Sequence, residues 1–326
     1  MSAASAAGGV VYLSGGVGGA KLALGLARCL PPRDLTIIAN TGDDFDHVGL
    51  RICPDIDTLV YTLSGTANRD QGWGRTGETG QFMRAMRQLG GPDWFFLGDL
   101  DLAMHVERRR RMDAGQSLSA ITADLARAMG IHQRILPMSD DPAPTVIQTA
   151  DGPIPFQDYF VRLRAEPVVT GFSLAGGGKA HPGPDVLAAL DDAAAVIIGP
   201  SNPFISIDPI LTLPGIRDRL RRMRAAGVPV LAVSPIVGGT AIKGPTAKMM
   251  AELGEDPSVE AVARRYADIV STLVLDSVDQ HRAATVRAEG VEPLVLPTVM
   301  KSAADKVTLA AAILHHLRNG QTNSSV

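Results

Sequence analysis

The sequence predicts a doubly wound α/β fold on a mostly parallel sheet, with an inserted helical region near the active site. Three observations carry this. Short, β-branched apolar runs recur along the chain, as buried parallel strands do. Polar loops rich in Gly or Asp follow four of them. The apolar weight rests on Ala, Leu, Val and Gly, while aromatics make up only 4%. That mix suits strands covered by helices better than an antiparallel sandwich.

The elements follow in order. Val10 to Leu13 is the first strand, and the glycine cluster Gly15-Gly16-Val17-Gly18-Gly19 turns after it. Ala20 to Leu30 reads as a helix, with Leu22, Leu26 and Leu30 four residues apart and Pro31-Pro32 as its stop. Leu35 to Ala39 is a second strand, running into Asn40-Thr41-Gly42-Asp43-Asp44. Strand, glycine turn, helix, strand is a βαβ opening. Asp93 to Leu97 reads as a further strand ending in Gly98-Asp99, Leu118 to Met129 as a helix, and Arg134 to Pro137 as a short strand. Val186 to Leu190 is a helix before the strand Ala194 to Ile198, which enters Gly199-Pro200-Ser201-Asn202-Pro203. A helix over Ile216 to Ala226, a strand over Val228 to Val233 and a helix over Ser258 to Tyr266 follow. Strands at Leu273 to Leu275 and Leu294 to Leu296 and a helix from Ala303 to Leu317 complete the pattern.

Ligands of open parallel sheets bind beyond the carboxyl ends of the strands. Residues 14–19, 40–44, 98–101 and 199–203 are therefore expected on one rim. Residues 10–318 read as a single domain, with about 65–185 a partly helical insertion. Residues 1–9 read as a disordered leader and 319–326 as a frayed tail.

Composition narrows the function. Hydrophobic residues make up 45% of 326, ample for a core, and the net charge is −3. Nothing in that balance attracts nucleic acid or an anionic membrane. Arg108 to Arg111 form the only basic run, expected as a solvated helix face. Cys29 and Cys53 make no CxxC pattern, which fits a cytoplasmic protein without disulfides. No apolar run reaches the roughly 18 residues of a membrane helix, and the start does not read as a signal peptide.

The glycine loop lies between a strand and a helix, where backbone N–H groups and the helix dipole favour phosphate. Gly15, Gly16, Gly18 and Gly19 let main chain approach closely, and Lys21 follows. Neither the dinucleotide fingerprint nor the Walker pattern is present, because Lys21 and Leu22 stand where Gly and Ser/Thr belong. Asp43 and Asp44, then Asp55 and Asp57, are paired carboxylates near this loop, suited to Mg²⁺ or to capping turns. Asp99 and Asp101 precede His105, and Asp101 shares a helix face with it. His105 is a candidate for binding substrate or moving a proton, against a structural role. Ser201 and Asn202, between prolines, could read a nucleotide's polar edges or cap a helix. Lys243 is a further loop cation that could meet a phosphate.

These residues resemble a known pattern. SGGVGGAKL (14–22), NTGDD (40–44), RICPDIDT (51–58), FLGDLDLAMHV (96–106), PMSDDP (137–142), FQDYFVR (156–162), GPSNPFISIDPIL (199–211), SPIVGGTAIKGP (234–245) and VLDSVDQ (274–280) are similar, in order, to the 2-phospho-L-lactate transferase family of deazaflavin coenzyme biosynthesis. The resemblance covers nearly the whole chain. It implies a Rossmann-like fold, a homodimer and a Mg²⁺-dependent enzyme. Such an enzyme moves a phosphoenolpyruvyl, phospholactyl or 3-phosphoglyceryl group from a guanosine diphosphate adduct to the ribityl hydroxyl of FO, the deazaflavin precursor of coenzyme F-420. GMP is released. It assigns Asp44 and Asp57 to the metal and to catalysis with His105, Gly15 to Gly19 to the diphosphate, Ser201 and Asn202 to the nucleotide, and Asp99 to the FO side. A sugar-nucleotide-binding regulator of the same superfamily is the alternative. The blocks at 51–58, 96–106 and 156–162 favour the transferase.

Overall fold

The computed structural model describes residues 8–68, 74–176 and 178–322. Seven strands form its central sheet: β1 (Val10–Ser14), β2 (Leu35–Ala39), β3 (Arg134–Pro137), β4 (Ala195–Ile198), β5 (Val230–Val233), β6 (Thr272–Asp276) and β7 (Glu292–Leu296). Their order is β7-β6-β5-β4-β1-β2-β3. Every neighbouring pair is parallel. The order reverses between β1 and β4, which makes their carboxyl ends the switch point of a doubly wound fold.

Continuous apolar runs form these strands because both faces of the sheet are covered. All residues of β4, β5 and β6 are buried. Side chains alternate between two cores, as the period of a strand requires. Val11, Leu13, Val196 and Ile198 enter one core, and Tyr12, Ala195 and Ile197 enter the other. Each fully buried aliphatic side chain contributes roughly 1.5–3 kcal/mol. On the second face α1 (Gly16–Cys29) packs beside α2 (Pro54–Ser64) and the last helix, Ala303–Thr322.

The helix α1 begins four residues before the expected Ala20. The glycine cluster is its first turn, with Gly15 as N-cap. Gly16 has φ +62°, a left-handed conformation that glycine adopts without Cβ strain. The expected strand at Asp93 to Leu97 is a loop. Its aromatic residues pack sideways rather than into a ladder. Phe95 stands edge-on to Phe45 at 4.8 Å between centroids, and Trp94 lies 5.1 Å from His47.

Residues 65–185, expected as a partly helical insertion, contain both helices and strands among those described. They hold α3 (Gln81–Gln88), α4 (Asp99–Asp113), α5 (Leu118–Ala128), the edge strand β3 and an antiparallel sheet of Thr145–Thr149, Gly152–Pro155 and Val169–Leu174. The last helix carries backbone helix through Thr322, into the stretch expected to fray. The rest of the expected tail, 323–326, and residues 1–7 of the expected leader lie outside the described residues. No described helix is long and apolar enough to cross a membrane.

Candidate active site at the switch point

Three of the four expected rim loops meet. Ser201, after β4, bridges the switch point to the glycine turn after β1. Its hydroxyl donates to the Gly15 carbonyl at 2.7 Å and accepts from the Gly15 N–H at 3.3 Å. The Gly16 N–H donates to Asp55 Oδ1 at 2.7 Å. Asn40, after β2, donates from its amide to Asp43 Oδ1 at 3.1 Å, to Asp55 Oδ2 at 2.8 Å and to the Ile205 carbonyl at 3.1 Å. Glycine is required where the loops touch. A Cβ at Gly18 would lie 2.5 Å from the Pro200 carbonyl oxygen, and one at Gly15 would lie 2.6 Å from Ser206 Cβ.

The fourth loop, 98–101, follows no strand. It is the first turn of α4. Asp99 is turned to a local task there, accepting from the Phe82 N–H at 2.9 Å and the Gln81 N–H at 3.1 Å at the start of α3. Glu78 does the same for α4, accepting from the Leu100 and Asp101 N–H groups at 2.8 and 2.9 Å. Carboxylates at helix N-termini satisfy orphan donors and meet the positive dipole end.

Asp43, Asp44, Asp55 and Asp57 are all buried. Asp55 and Asp57 sit in the first turn of α2, placed by Pro54 at its start. Burial is the main force on the ionisation of Asp43, Asp44 and Asp55, and mutual repulsion adds to it. Asp43 is pushed well above the ordinary carboxylate range by burial and then by Asp55. Burial raises Asp44 to about 8, with Cys53 and Arg108 partly offsetting it. Asp55 rises to about 6 through burial, held back by Asn40 and the Gly16 N–H. Asp44 Oδ1 and Thr41 Oγ1 are buried without a hydrogen-bond partner. Both residues line a small cleft with Arg51, Ser139 and Asp140.

These carboxylates are the groups that could hold a magnesium ion. The donor set is hard oxygen, and Asp44 offers a free one. Among the described residues no three His, Cys, Asp or Glu side chains form a ready cage. Magnesium is ordinarily held by one or two carboxylates together with substrate phosphates, and that arrangement suits Asp44 with Asp57 beside it.

The expected solvated face of Arg108 to Arg111 divides in two. Arg109 and Arg110 are surface residues paired with Asp113 and Glu107, and Arg111 bridges Glu107 to Asp124. Arg108 is only 1% exposed. Its guanidinium grips both oxygens of Asp57. It also donates to the Arg51 carbonyl at 3.1 Å and faces His105 Nδ1 at 3.3 Å. His105 Nδ1 also lies 3.7 Å from Asp57 Oδ2, so the ring faces both members of the pair. Burial lowers His105 to about 4, so the ring is neutral at physiological pH. Burial pushes Asp101 up to about 6, with the Tyr61 hydroxyl beside it holding it back.

The remaining expected residues are dispersed. Lys21 donates to the Met300 carbonyl at 3.2 Å, and burial, then Lys243, lowers its pKa. Lys243 is exposed. Asn202 caps the turn after it, accepting from the Phe204 N–H at 2.9 Å. Sequence reasoning missed Arg108, Tyr61 and Gln157, which donates to the Asp43 carbonyl at 3.1 Å. For Arg108 a signal existed: Asp101, His105 and Arg108 are four and three residues apart, one stripe of a helix.

Known proteins similar to this chain identify its family. The model of the family described as 2-phospho-L-lactate transferase CofD matches residues 10–312. A phosphoenolpyruvate transferase of Kitasatospora aureofaciens is 39% identical over 321 residues, covering 95% of this chain and 99% of that one. One from Streptomyces griseus is 42% identical, covering 89% and 92%. A 2-phospho-L-lactate transferase of Methanosarcina mazei is 37% identical, covering 94% and 99%. A crystal structure of a UPF0052 family member from Bacillus halodurans superposes with a TM-score of 0.63 at 15% identity, covering 95% of this chain and 99% of that one, a likeness of fold. With the family model matching residues 10–312 and relatives 37–42% identical along nearly the whole chain, the chain belongs to the 2-phospho-L-lactate transferase CofD family.

Proposed function

We propose that the protein transfers the phosphoenolpyruvyl group of a guanosine diphosphate adduct to the terminal ribityl hydroxyl of FO, releasing GMP. The observation that carries the reading is the junction of Gly15, Gly16, Ser201 and Asp55 at the switch point. A helix start beside buried carboxylates supports a reading in which the remaining N–H groups of that first turn meet phosphate. Relatives named phosphoenolpyruvate transferase, at 39% and 42% identity, favour that acid over phospholactate, whose named relative stands at 37%.

In this reaction the hydroxyl oxygen forms a bond to the distal phosphorus. The bond from that phosphorus to the bridging oxygen breaks, and the bridging oxygen leaves on GMP. Positioning and charge neutralisation do most of the work in such transfers. Mg²⁺, held by Asp44 and Asp57, would offset the diphosphate charge. The first turn of α1 receives the diphosphate through backbone N–H groups. Lys21 and Lys243 add positive charge at its far side. The hydroxyl's proton passes to a buried carboxylate. Asp55, which burial raises to about 6, can take it. His105 and Asp101 on α4 face the acceptor side. The active form is a homodimer.

The test is product analysis. FO, Mg²⁺ and an equal mixture of the phosphoenolpyruvyl, phospholactyl and 3-phosphoglyceryl adducts are incubated with the protein. Mass spectrometry should find GMP and the phosphoenolpyruvyl diester of FO as the main product. A folded protein that yields no diester would overturn the reading and leave a sugar-nucleotide-binding regulator in its place.

A further inference from the structure

Arg108 is the most buried charged side chain at the site, and the proposed chemistry leaves it no contact with substrate. Its three partners lie on three elements: Asp57 on α2, His105 on α4 and the Arg51 carbonyl on the strand Leu50–Ile52. α2 carries the carboxylates next to the glycine turn, and α4 carries Asp101 and His105. A buried Arg costs desolvation that only fixed, well-formed partners offset. The planar fork fixes Asp57 in direction as well as in charge, which a lysine could not do.

We propose that Arg108 is the positioning residue of the transfer. By clamping the Asp57 carboxylate it sets the register between α2, on the donor side, and α4, on the acceptor side. This rests on the transferase reading above. Arg108 acts through Asp57 and touches neither substrate. Its loss should therefore slow turnover without weakening the grip on donor.

Arg108→Lys keeps the charge and removes the fork. Its kcat should fall roughly 10- to 100-fold, the scale of a small misplacement of reacting groups, while KM for the donor moves by less than about threefold. The discriminating measurement is a cycle with Asp57→Asn, read twice: in kcat, and in Mn²⁺·GDP affinity by electron paramagnetic resonance. If Arg108 works through Asp57, the double variant is no worse than Asp57→Asn alone in either readout. Additive losses, or an Arg108→Lys enzyme with unchanged kcat, would overturn the proposal. Should Arg108→Lys not fold, Asp57→Asn/Arg108→Gln removes both buried charges together. It should match Asp57→Asn, and a further loss of about tenfold in Mn²⁺·GDP affinity would count against the clamp. A wild type without transferase activity would fail the functional reading, whereas an active wild type with additive losses in the cycle would fail the clamp alone.

Discussion

The rim of the sheet and the seam between α2 and α4 both present buried polar groups, but they are built differently. On the rim, side chains hold backbone: Ser201 takes the Gly15 N–H, Asp55 the Gly16 N–H and Asn40 the Ile205 carbonyl, across loops that leave neighbouring strands. At the seam, side chain holds side chain. Arg108 reaches Asp57 across 51 positions of sequence. The rim spreads its holding over three side chains, whereas the seam depends on one guanidinium. The site thus couples a rim of distributed contacts to a single buried ion pair.

The largest expected effect tests the seam. Arg108→Met keeps the bulk and leaves Asp57 buried without its counter-ion. Removing one partner of a buried pair costs about 3–5 kcal/mol. Urea unfolding should record that loss. A cost below about 1 kcal/mol would show that the seam does not depend on it, because it would place Arg108 in the range of exposed pairs.

The next effect falls on the carboxylates shared by both regions. In the fold Asp44 titrates near 8, against an ordinary value of 3.8. Between those values the folded protein holds a proton that the unfolded chain has released. Stability from this group therefore falls as pH rises from about 4 to about 8. Each tenfold difference in proton affinity between the folded and unfolded chain is worth about 1.4 kcal/mol, so Asp44→Asn should gain on the order of a few kcal/mol over wild type at pH 8 and little at pH 4. Millimolar Mg²⁺ should restore the wild type at pH 8 and leave Asp44→Asn unchanged. A wild-type melting temperature that is flat over this range without divalent cation would contradict the burial of an unpaired Asp44.

On the rim, Gly18→Ala brings a Cβ to within 2.5 Å of the Pro200 carbonyl, and a carbonyl of the backbone cannot swing aside as a side chain does. Overpacking of this kind costs about 1–3 kcal/mol. The donor KM should rise with it, since the same turn is proposed to hold the diphosphate. An unchanged KM would move the diphosphate away from the α1 start.

What the sequence made legible follows the same division. The βαβ opening and the buried strands β1, β2, β4, β5 and β6 follow from local runs, and the rim loops come with them. Leu97 misled because apolar residues beside Gly98 suggest a strand, while Trp94 and Phe95 instead pack against Phe45 and His47. α2 hid behind Cys53-Pro54, where proline reads as a break although it opens a helix. Arg108 hid because a run of four arginines reads as a wet surface, and only the tertiary fold puts an aspartate under the first of them. Burial of a charge is decided by its partner, and the partner is distant in sequence.

The smallest expected effect concerns Asn202, which sits on the rim and caps the turn after it. Its side chain accepts from the Phe204 N–H at 2.9 Å and the Ile205 N–H at 3.4 Å, and its amide faces Met249. Those contacts leave little of it for a nucleotide. As a cap, Asn202→Ala should cost about 1 kcal/mol, seen as a lower Tm with the donor KM unchanged. As a reader of the guanine edge it would do the opposite, raising KM about tenfold or more with Tm held. The first outcome would leave the glycine turn and the buried carboxylates as the groups that grip the donor. The second would show that a side chain can serve the ligand on the rim while it holds the turn, which would narrow the contrast between the two regions.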